Sequence, residues 1–268
     1  MRYVVDAKHH TLDVEILTTV IIAFEQRYLL QDDVHCLASH EDVDLVDEDI
    51  IGIYYRACAL TRRDADARAP ALLRAADIGT ASIYTIFDGQ GNTFTYFEDL
   101  RQLYSTYMPF IAEFLTSSAE LLSSLSRHKK CHGIFTQDLD ILLWLRQPQT
   151  TPSSESLISS PFSFPLIGLL QLLNYMVTCK SVAETPYAFR WHLSRTSGHS
   201  QGIITAVVTA AADTRESFGS VSRSALITLF WIGVHSQQTY PQDNYSSSNG
   251  QGFNGPRRRS SNANAKCS

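Results

Sequence analysis

Gly198-His199-Ser200-Gln201-Gly202 runs directly into the apolar stretch Ile203–Ala211, and no other feature limits this chain as much. A serine with a glycine two positions away on each side fits a sharp strand-to-helix turn. Such a turn pushes the serine hydroxyl out of the backbone and crowds the two flanking positions, where a residue without a side chain fits most easily. The helix that follows aims its free N–H groups at the same spot, where they can stabilise negative charge on a carbonyl oxygen under attack. The chemistry suggested is acyl transfer through an acyl-serine. Glycine and serine also fill ordinary loops, so the competing reading is a loop in which Ser200 caps a helix. Arg195-Thr196-Ser197, just before the motif, is poor strand material by composition.

The chain has 268 residues, 44% of them hydrophobic and 18% charged, enough for one large domain or two small ones. A formal net charge of -5 gives no electrostatic case for nucleic acid as a partner. The five cysteines are odd in number and have no C-x-x-C spacing, the pattern of reduced thiols in a cytoplasmic protein. The start, Met1 to Asp6, has no apolar signal region of useful length. Phe162 to Val177 is the most apolar stretch. It is too short for a membrane span and carries Pro165, Gln171 and Asn174, so no membrane partner is expected. His9-His10 lacks a further ligand at fixed spacing, and no metal site is expected.

Residues 1–80 read as a helical region. Leu12, Ile16, Val20 and Phe24 recur at helical spacing, a short segment around Val34, Leu37 and Ala38 follows, and a third runs from Val43 to Leu60. Residues 61–70 read as a linker. The pattern then changes at Ala81–Phe87, a β-branched and aromatic run that ends in the turn cluster Asp88-Gly89-Gln90-Gly91-Asn92. Gly89-Gln90-Gly91 lacks the lysine of a phosphate loop and the third glycine of a dinucleotide fingerprint. It fits better as half of an oxyanion hole, with the N–H of Gln90 complementing that of Gln201; a plain strand–helix turn is the alternative. A long amphipathic helix follows from Tyr96 to Phe114, with Pro109 expected to kink or split it. Gly133 to Leu145 reads as a turn and a helix, and Pro148 to Pro161 as a surface loop. Phe162 to Cys179 reads as a helix apolar on nearly all sides, fit for the centre of a fold. Its Gln171 either faces the site or is a satisfied buried amide. Another helix is expected from Glu216 to Val234, and residues 242–268 form a low-complexity tail expected to be disordered.

Several stretches together resemble a known family. They are Ile86-Phe87-Asp88-Gly89-Gln90-Gly91-Asn92, Tyr96-Phe97-Glu98-Asp99-Leu100-Arg101, Phe135-Thr136-Gln137, Ser163-Phe164-Pro165-Leu166-Ile167-Gly168, Thr196–Gly202 and Phe230-Trp231-Ile232-Gly233. In order and approximate spacing they are similar to the acyltransferase region at the N-terminal end of the fungal fatty acid synthase beta subunit. Starter acyltransferases of fungal polyketide synthases share the elbow. The resemblance runs from about residue 10 to Pro241. It implies an α/β fold, with the helical region followed at 81–241 by an α/β-hydrolase-like acyltransferase core on a short parallel sheet. It implies no bound cofactor. An acyl group, acetyl by analogy, passes from coenzyme A to Ser200 and then to the phosphopantetheine thiol of an acyl carrier protein. Gln90 and Gln201 form the oxyanion hole, and Gly198, His199, Gly202, Gly89 and Gly91 support the turns. Fatty acid synthase subunits are the further partners implied.

The chain departs from this family at three places. Asp88 replaces a glycine, His235 stands where an arginine is common, and the pattern expected after Pro241 is missing. That pattern comprises a ferredoxin-like subdomain and a Ser-Pro-Phe-His-type segment carrying the catalytic histidine, so the core is expected to be incomplete. A serine nucleophile needs a base within hydrogen-bond reach. His199 is expected to be turned aside by the elbow, and His235, His192, His128 and His132 carry no spacing argument. A catalytically incomplete fragment or non-catalytic interaction protein of a synthase is therefore the alternative. A serine esterase reading would have to draw on Asp213, Glu216 or Asp243 with His235.

Overall fold

A computed structural model describes residues 11–30, 33–38, 47–63, 71–89, 95–135, 138–182 and 184–239. The N-terminal region is helical as expected, with α1 (Thr11–Tyr28), α2 (Val34–Ala38) and α3 (Asp47–Thr61), followed by α4 (Ala71–Asp77). Leu17, Ile21, Leu29, Val34, Ile51 and Tyr54 close a small core of their own. Beside it, the Glu25 carboxylate accepts a hydrogen bond from the Tyr54 hydroxyl and pairs with Arg63 at 2.9 Å. This core leans on the next long helix, α5 (Tyr96–Ser126), through Tyr55, whose ring lies 4.5 Å from Phe110 and 5.8 Å from Tyr107. The contact falls where α5 bends. Tyr107 leaves helical geometry (φ -114, ψ 20) two residues before Pro109, whose ring and missing N–H disturb the preceding turn. α5 therefore consists of two helical parts that meet in a kink at Tyr107, just before Pro109.

The main core is built around α8 (Ser160–Ser181), which starts two residues ahead of the sequence expectation because Pro161 fits the first helical turn. Leu166, Leu169, Leu172, Leu173 and Cys179 are almost fully buried, so its apolar character on all sides has a packing cause. It sits against α5, α10 (Gly202–Ala211) and α11 (Arg215–Thr239). By length and composition α8 and α11 could each cross a bilayer; 78% of the α8 window and 44% of the α11 window are buried inside the protein. α8 and α11 approach closely at Gly233 of the Phe-Trp-Ile-Gly stretch. A Cβ there would lie 2.3 Å from the Ser160 carbonyl oxygen.

The strands are β1 (Ile83–Phe87) and β2 (Leu193–Gly198), a parallel pair with Ile83 opposite Leu193 and Phe87 opposite Gly198. β2 corrects the reading of Arg195-Thr196-Ser197 as poor strand material: pairing with β1 and attachment to the elbow override local propensity. Of the expected α/β architecture, the described residues show this short parallel sheet; helices make up most of the rest. The stretch Pro148–Pro161 is not a plain loop. It holds one turn at Pro148–Thr150 and α7 (Ser154–Ile158), whose cap is Ser153 accepting from the Ser156 N–H. Likewise α6 (Ile141–Arg146) begins only where Asp140 caps the Leu143 N–H, well after Gly133. The short α9 (Pro186–Phe189) leads through the turn Arg190–His192 into β2. The linker beyond Arg63, His9-His10 and the tail 242–268 lie outside the described residues.

The Gly233 contact predicts that Gly233→Ala destabilises the protein by about 1–3 kcal/mol, the usual range for overpacking. A urea unfolding midpoint that stays in place would refute this account of the α8–α11 interface.

Candidate active site

Ser200 has φ 53, a left-handed backbone conformation that serine adopts at a cost. It follows directly on the last residues of β2 and precedes α10, so the turn is a strand-to-helix elbow and not a loop that Ser200 caps from outside. Both flanking glycines are required by contact. A Cβ on Gly198 would sit 2.3 Å from the Gly202 carbonyl carbon and 2.4 Å from the Ile203 nitrogen. A Cβ on Gly202 would sit 2.1 Å from the Phe87 carbonyl oxygen and 2.6 Å from that of Asp88. The elbow is thus folded tightly on itself and pressed onto the end of β1.

Backbone hydrogen bonds hold this junction. The His199 N–H donates to the Phe87 carbonyl at 2.9 Å, and the Gly202 N–H donates to the His199 carbonyl at 2.9 Å. Ile203 and Ile204 N–H groups donate to Ser200 and Gln201. The Gln201 N–H is not among the donors of this set, and it stands at the start of α10 beside the serine. Gly89 completes the contact from the β1 side: a Cβ there would lie 2.7 Å from Ser200 Cβ and 3.2 Å from His199 Nδ1. Ser200 and His199 are both exposed. The structure therefore brings together Ser200, Gln201, Gly198, His199, Gly202 and Gly89. Gln90 and Gly91 lie outside the described residues.

Gln171 is the side chain whose role the sequence left open. Its Nε2 donates to the Asp88 carbonyl at 2.5 Å, and its Oε1 accepts from the Thr205 hydroxyl at 2.7 Å. One amide thus ties α8 to the end of β1 and to α10. It is a satisfied amide beside the site, which merges the two alternatives. The signal was its position as a polar exception in an apolar helix. Asp88 turns its carbonyl to this clamp while the residue as a whole is exposed. Gln201 is only 4% exposed, and among the described residues neither of its side-chain amide atoms has a hydrogen-bond partner.

No described histidine makes a hydrogen bond to Ser200. His192 stands at the opposite end of β2, with Nδ1 2.6 Å from Asp77 and Nε2 3.4 Å from Glu184. His128 and His235 both pack on Trp231, with centroids at 5.4 and 5.9 Å, and His235 Nδ1 meets Gln238 at 3.1 Å. Asp213 accepts from Ser217 at the head of α11, so Ser200, Asp213 and His235 do not form a triad. Among the described residues no group of three or more His, Cys, Asp or Glu side chains is placed to hold a metal ion. Burial pushes the Cys58 thiol up to about 11 and the Cys179 thiol up to about 12, the opposite of nucleophile activation. Ser200 is the exposed candidate.

Comparison with known proteins agrees with this geometry. A family described as "Starter unit:ACP transacylase in aflatoxin biosynthesis" matches residues 85–256, from β1 through the elbow and past Pro241, where the sequence resemblance had been taken to end. The chain belongs to this family of acyl transferases. It is 41% identical over 220 residues to the fatty acid synthase beta subunit TOXC of Cochliobolus carbonum, which covers 82% of this chain. It is 42% identical over 234 residues to fatty acid synthase subunit beta of Saccharomyces cerevisiae, covering 85% of the chain. With the beta subunit aflB of Emericella nidulans the identity is 36% over 228 residues. The chain spans 11% of the length of each of these relatives. The alignments are longer than the stretch from Thr85 to the C-terminus, so they reach into the helical N-terminal region.

Two substitutions test the elbow. Ser200→Gly should raise stability by up to about 1 kcal/mol, because left-handed strain of about 1–2 kcal/mol is partly offset by the extra unfolded-state freedom of glycine; an unfolding midpoint that falls would contradict the strained turn. Gln171→Leu should cost about 1–3 kcal/mol, since it strands the Asp88 carbonyl and the Thr205 hydroxyl. Unchanged thermal unfolding would show that the clamp carries no load.

Proposed function

We propose that the chain carries the nucleophile of an acyl transferase that loads a starter acyl group in fatty acid or polyketide synthesis. The observation that carries this reading is Ser200, exposed at φ 53 between β2 and α10 with Gly89 packed against it, in a chain of the starter unit:ACP transacylase family. In this reading the Ser200 oxygen attacks the thioester carbonyl of an acyl-CoA. The C–S bond breaks, coenzyme A leaves as the thiol, and an acyl-serine ester remains. The phosphopantetheine thiol of an acyl carrier protein then attacks the ester and restores the serine. The N–H groups of Gln201 and Gln90 receive the oxyanion in both steps, the second offered by the loop that Gly89 anchors. One such donor is typically worth about 10²–10³ in turnover. No cofactor is held; acyl-CoA and the carrier protein are substrates. The two strands would belong to an α/β-hydrolase-like core, and the setting would be the cytoplasm, in company with synthase subunits.

The proton of Ser200 needs a base, and no described histidine makes a hydrogen bond to it. We place that base on polypeptide outside the described residues. The same observation favours a second reading, in which the chain docks on a synthase without turning over. Incubation with radiolabelled acetyl-CoA and longer acyl-CoAs separates the two. Transfer predicts alkali-labile label on Ser200, absent in Ser200→Ala and passed on to holo acyl carrier protein. If no label forms with any acyl-CoA, even when this chain replaces the matching stretch of the Saccharomyces cerevisiae beta subunit, the transferase reading fails.

A further inference from the structure

A cavity of about 390 Å³ opens where α5, the end of α8, α9 and the first turns of α11 meet. That is within the range of small-ligand pockets. Its floor is apolar. Met176 and Phe218 are buried there, and the Phe114 ring lies 6.0 Å from that of Phe218. One wall is Lys180, half-buried near the end of α8. Its Nζ donates to the Phe110 carbonyl at 2.8 Å and lies 5.8 Å from the centre of the Phe110 ring. An ammonium carries three donors, and this bond uses one. Burial lowers the Lys180 pKa; Glu113 opposes that effect and Arg215 adds to it. At the rim the Arg215 guanidinium pairs with the Glu113 carboxylate at 3.3 Å. Gly219 also lines the cavity, inside α11, where glycine costs a helix about 1 kcal/mol relative to alanine. Packing does not require it. A Cβ there would meet nothing within 4 Å, whereas one on Gly168 would lie 2.2 Å from Leu229 Cδ1. The missing side chain keeps this side of the cavity open. None of the lining residues belongs to the elbow around Ser200.

We infer that this cavity is a binding site for a free aliphatic monocarboxylate, its chain on Phe114, Met176 and Phe218 and its carboxylate on the Lys180 ammonium. The charge balance selects a single negative charge. Lys180 and Arg215 bring two positive charges and Glu113 one negative, which leaves one to be met. The chemistry of the cations selects a carboxylate over a phosphate. A guanidinium is the group that grips phosphate with two parallel bonds, and that of Arg215 is engaged by Glu113. What faces the apolar floor is an ammonium, a compact charge with donors to spare. The apolar floor selects a hydrocarbon chain, because a polar ligand would lose water there and gain no partner. The head group would also offset the cost that burial imposes on the charged Lys180. This site stands apart from the Ser200 chemistry and does not rest on it.

Isothermal titration calorimetry of the full chain with sodium octanoate tests this, with octanol and inorganic phosphate as comparison probes. The expected result is saturable binding of one octanoate per chain. Octanol, which keeps the chain and lacks the charge, should bind at least about tenfold more weakly. Gly219→Leu places a side chain in open space at the cavity and should weaken octanoate at least about tenfold, with an unfolding midpoint that is unchanged or higher. Lys180→Met should weaken it by a similar factor. The two variants alter different walls, so either decides the matter should the other fail to fold. Ser200→Ala should leave octanoate binding as it is, whatever becomes of acyl transfer. Absence of saturable binding overturns the inference. So does octanoate binding that survives both Gly219→Leu and Lys180→Met, which would place the ligand elsewhere, the elbow included. Octanol or phosphate binding as tightly as octanoate overturns it too, as does a dimer by light scattering that Gly219→Leu dissolves, since a second copy would then fill the cavity.

Discussion

The contact on which the rest of this structure depends is the approach of Gly202 to the carbonyls of Phe87 and Asp88. At these distances a methyl group has no room, so glycine is the condition for the elbow to rest on β1 at all. That contact fixes where β1 stops, which in turn fixes the loop carrying Gly89 beside Ser200. It also sets the direction in which α10 leaves, since the helix starts at the point of contact. The His199 N–H closing on Phe87 then uses the first free carbonyl at the top of β1, so the strand pairing runs without a gap into the turn. The site is therefore a consequence of one backbone crossing, and Ser200 is exposed because its neighbours on both sides are committed to it.

What holds the crossing in place is α8. A helix with buried Leu166, Leu169, Leu172 and Leu173 gains roughly 1.5–3 kcal/mol per fully buried large side chain, before the entropy of ordering is counted. Gln171 interrupts that face at the level of the elbow and uses both ends of its amide, one on β1 and one on α10. A leucine would bury as well but could not bridge two elements that approach each other through backbone atoms. Packing between α8 and α11 supplies the rigidity, and Gln171 transmits it to the Ser200 elbow.

These relations explain which parts of the molecule could be read from the sequence. The elbow was legible because its constraint is steric and local: two glycines at fixed distance from a serine, then an apolar helix. The helices α5 and α11 were legible because each carries its own period, α8 because it is a long run apolar on nearly all sides, and Pro109 announced the bend at Tyr107. β2 was not, because Leu193–Gly198 is a strand only through its partner and its attachment. The caps of α6 and α7 were missed for a related reason, since Asp140 and Ser153 act over a single turn inside stretches that look like loop by composition. The clamp at Gln171 could be suspected from its polarity and not assigned, as its two partners lie 83 and 34 residues away in sequence.

Several unsatisfied polar groups lie beside Ser200. Among the described residues, buried polar atoms without partners include both ends of the Gln201 amide and the hydroxyls of Thr85 and Thr196, which face each other across the sheet just below the elbow. Ser200 adds backbone strain a few residues away. Each of these costs free energy in the fold, of order 1–3 kcal/mol for a buried group left unpaired. Others lie elsewhere, at Arg63, Arg101 and Ser222, but the four atoms on Thr85, Thr196 and Gln201 sit on the two strands and the turn that carry Ser200. The same two strands carry the exposed Tyr84 and Ile86, so inner and outer faces are both unsatisfied, one in hydrogen bonds and the other in apolar cover. On the proposed reading, the end of this sheet beside Ser200 takes its remaining contacts from the acyl substrate.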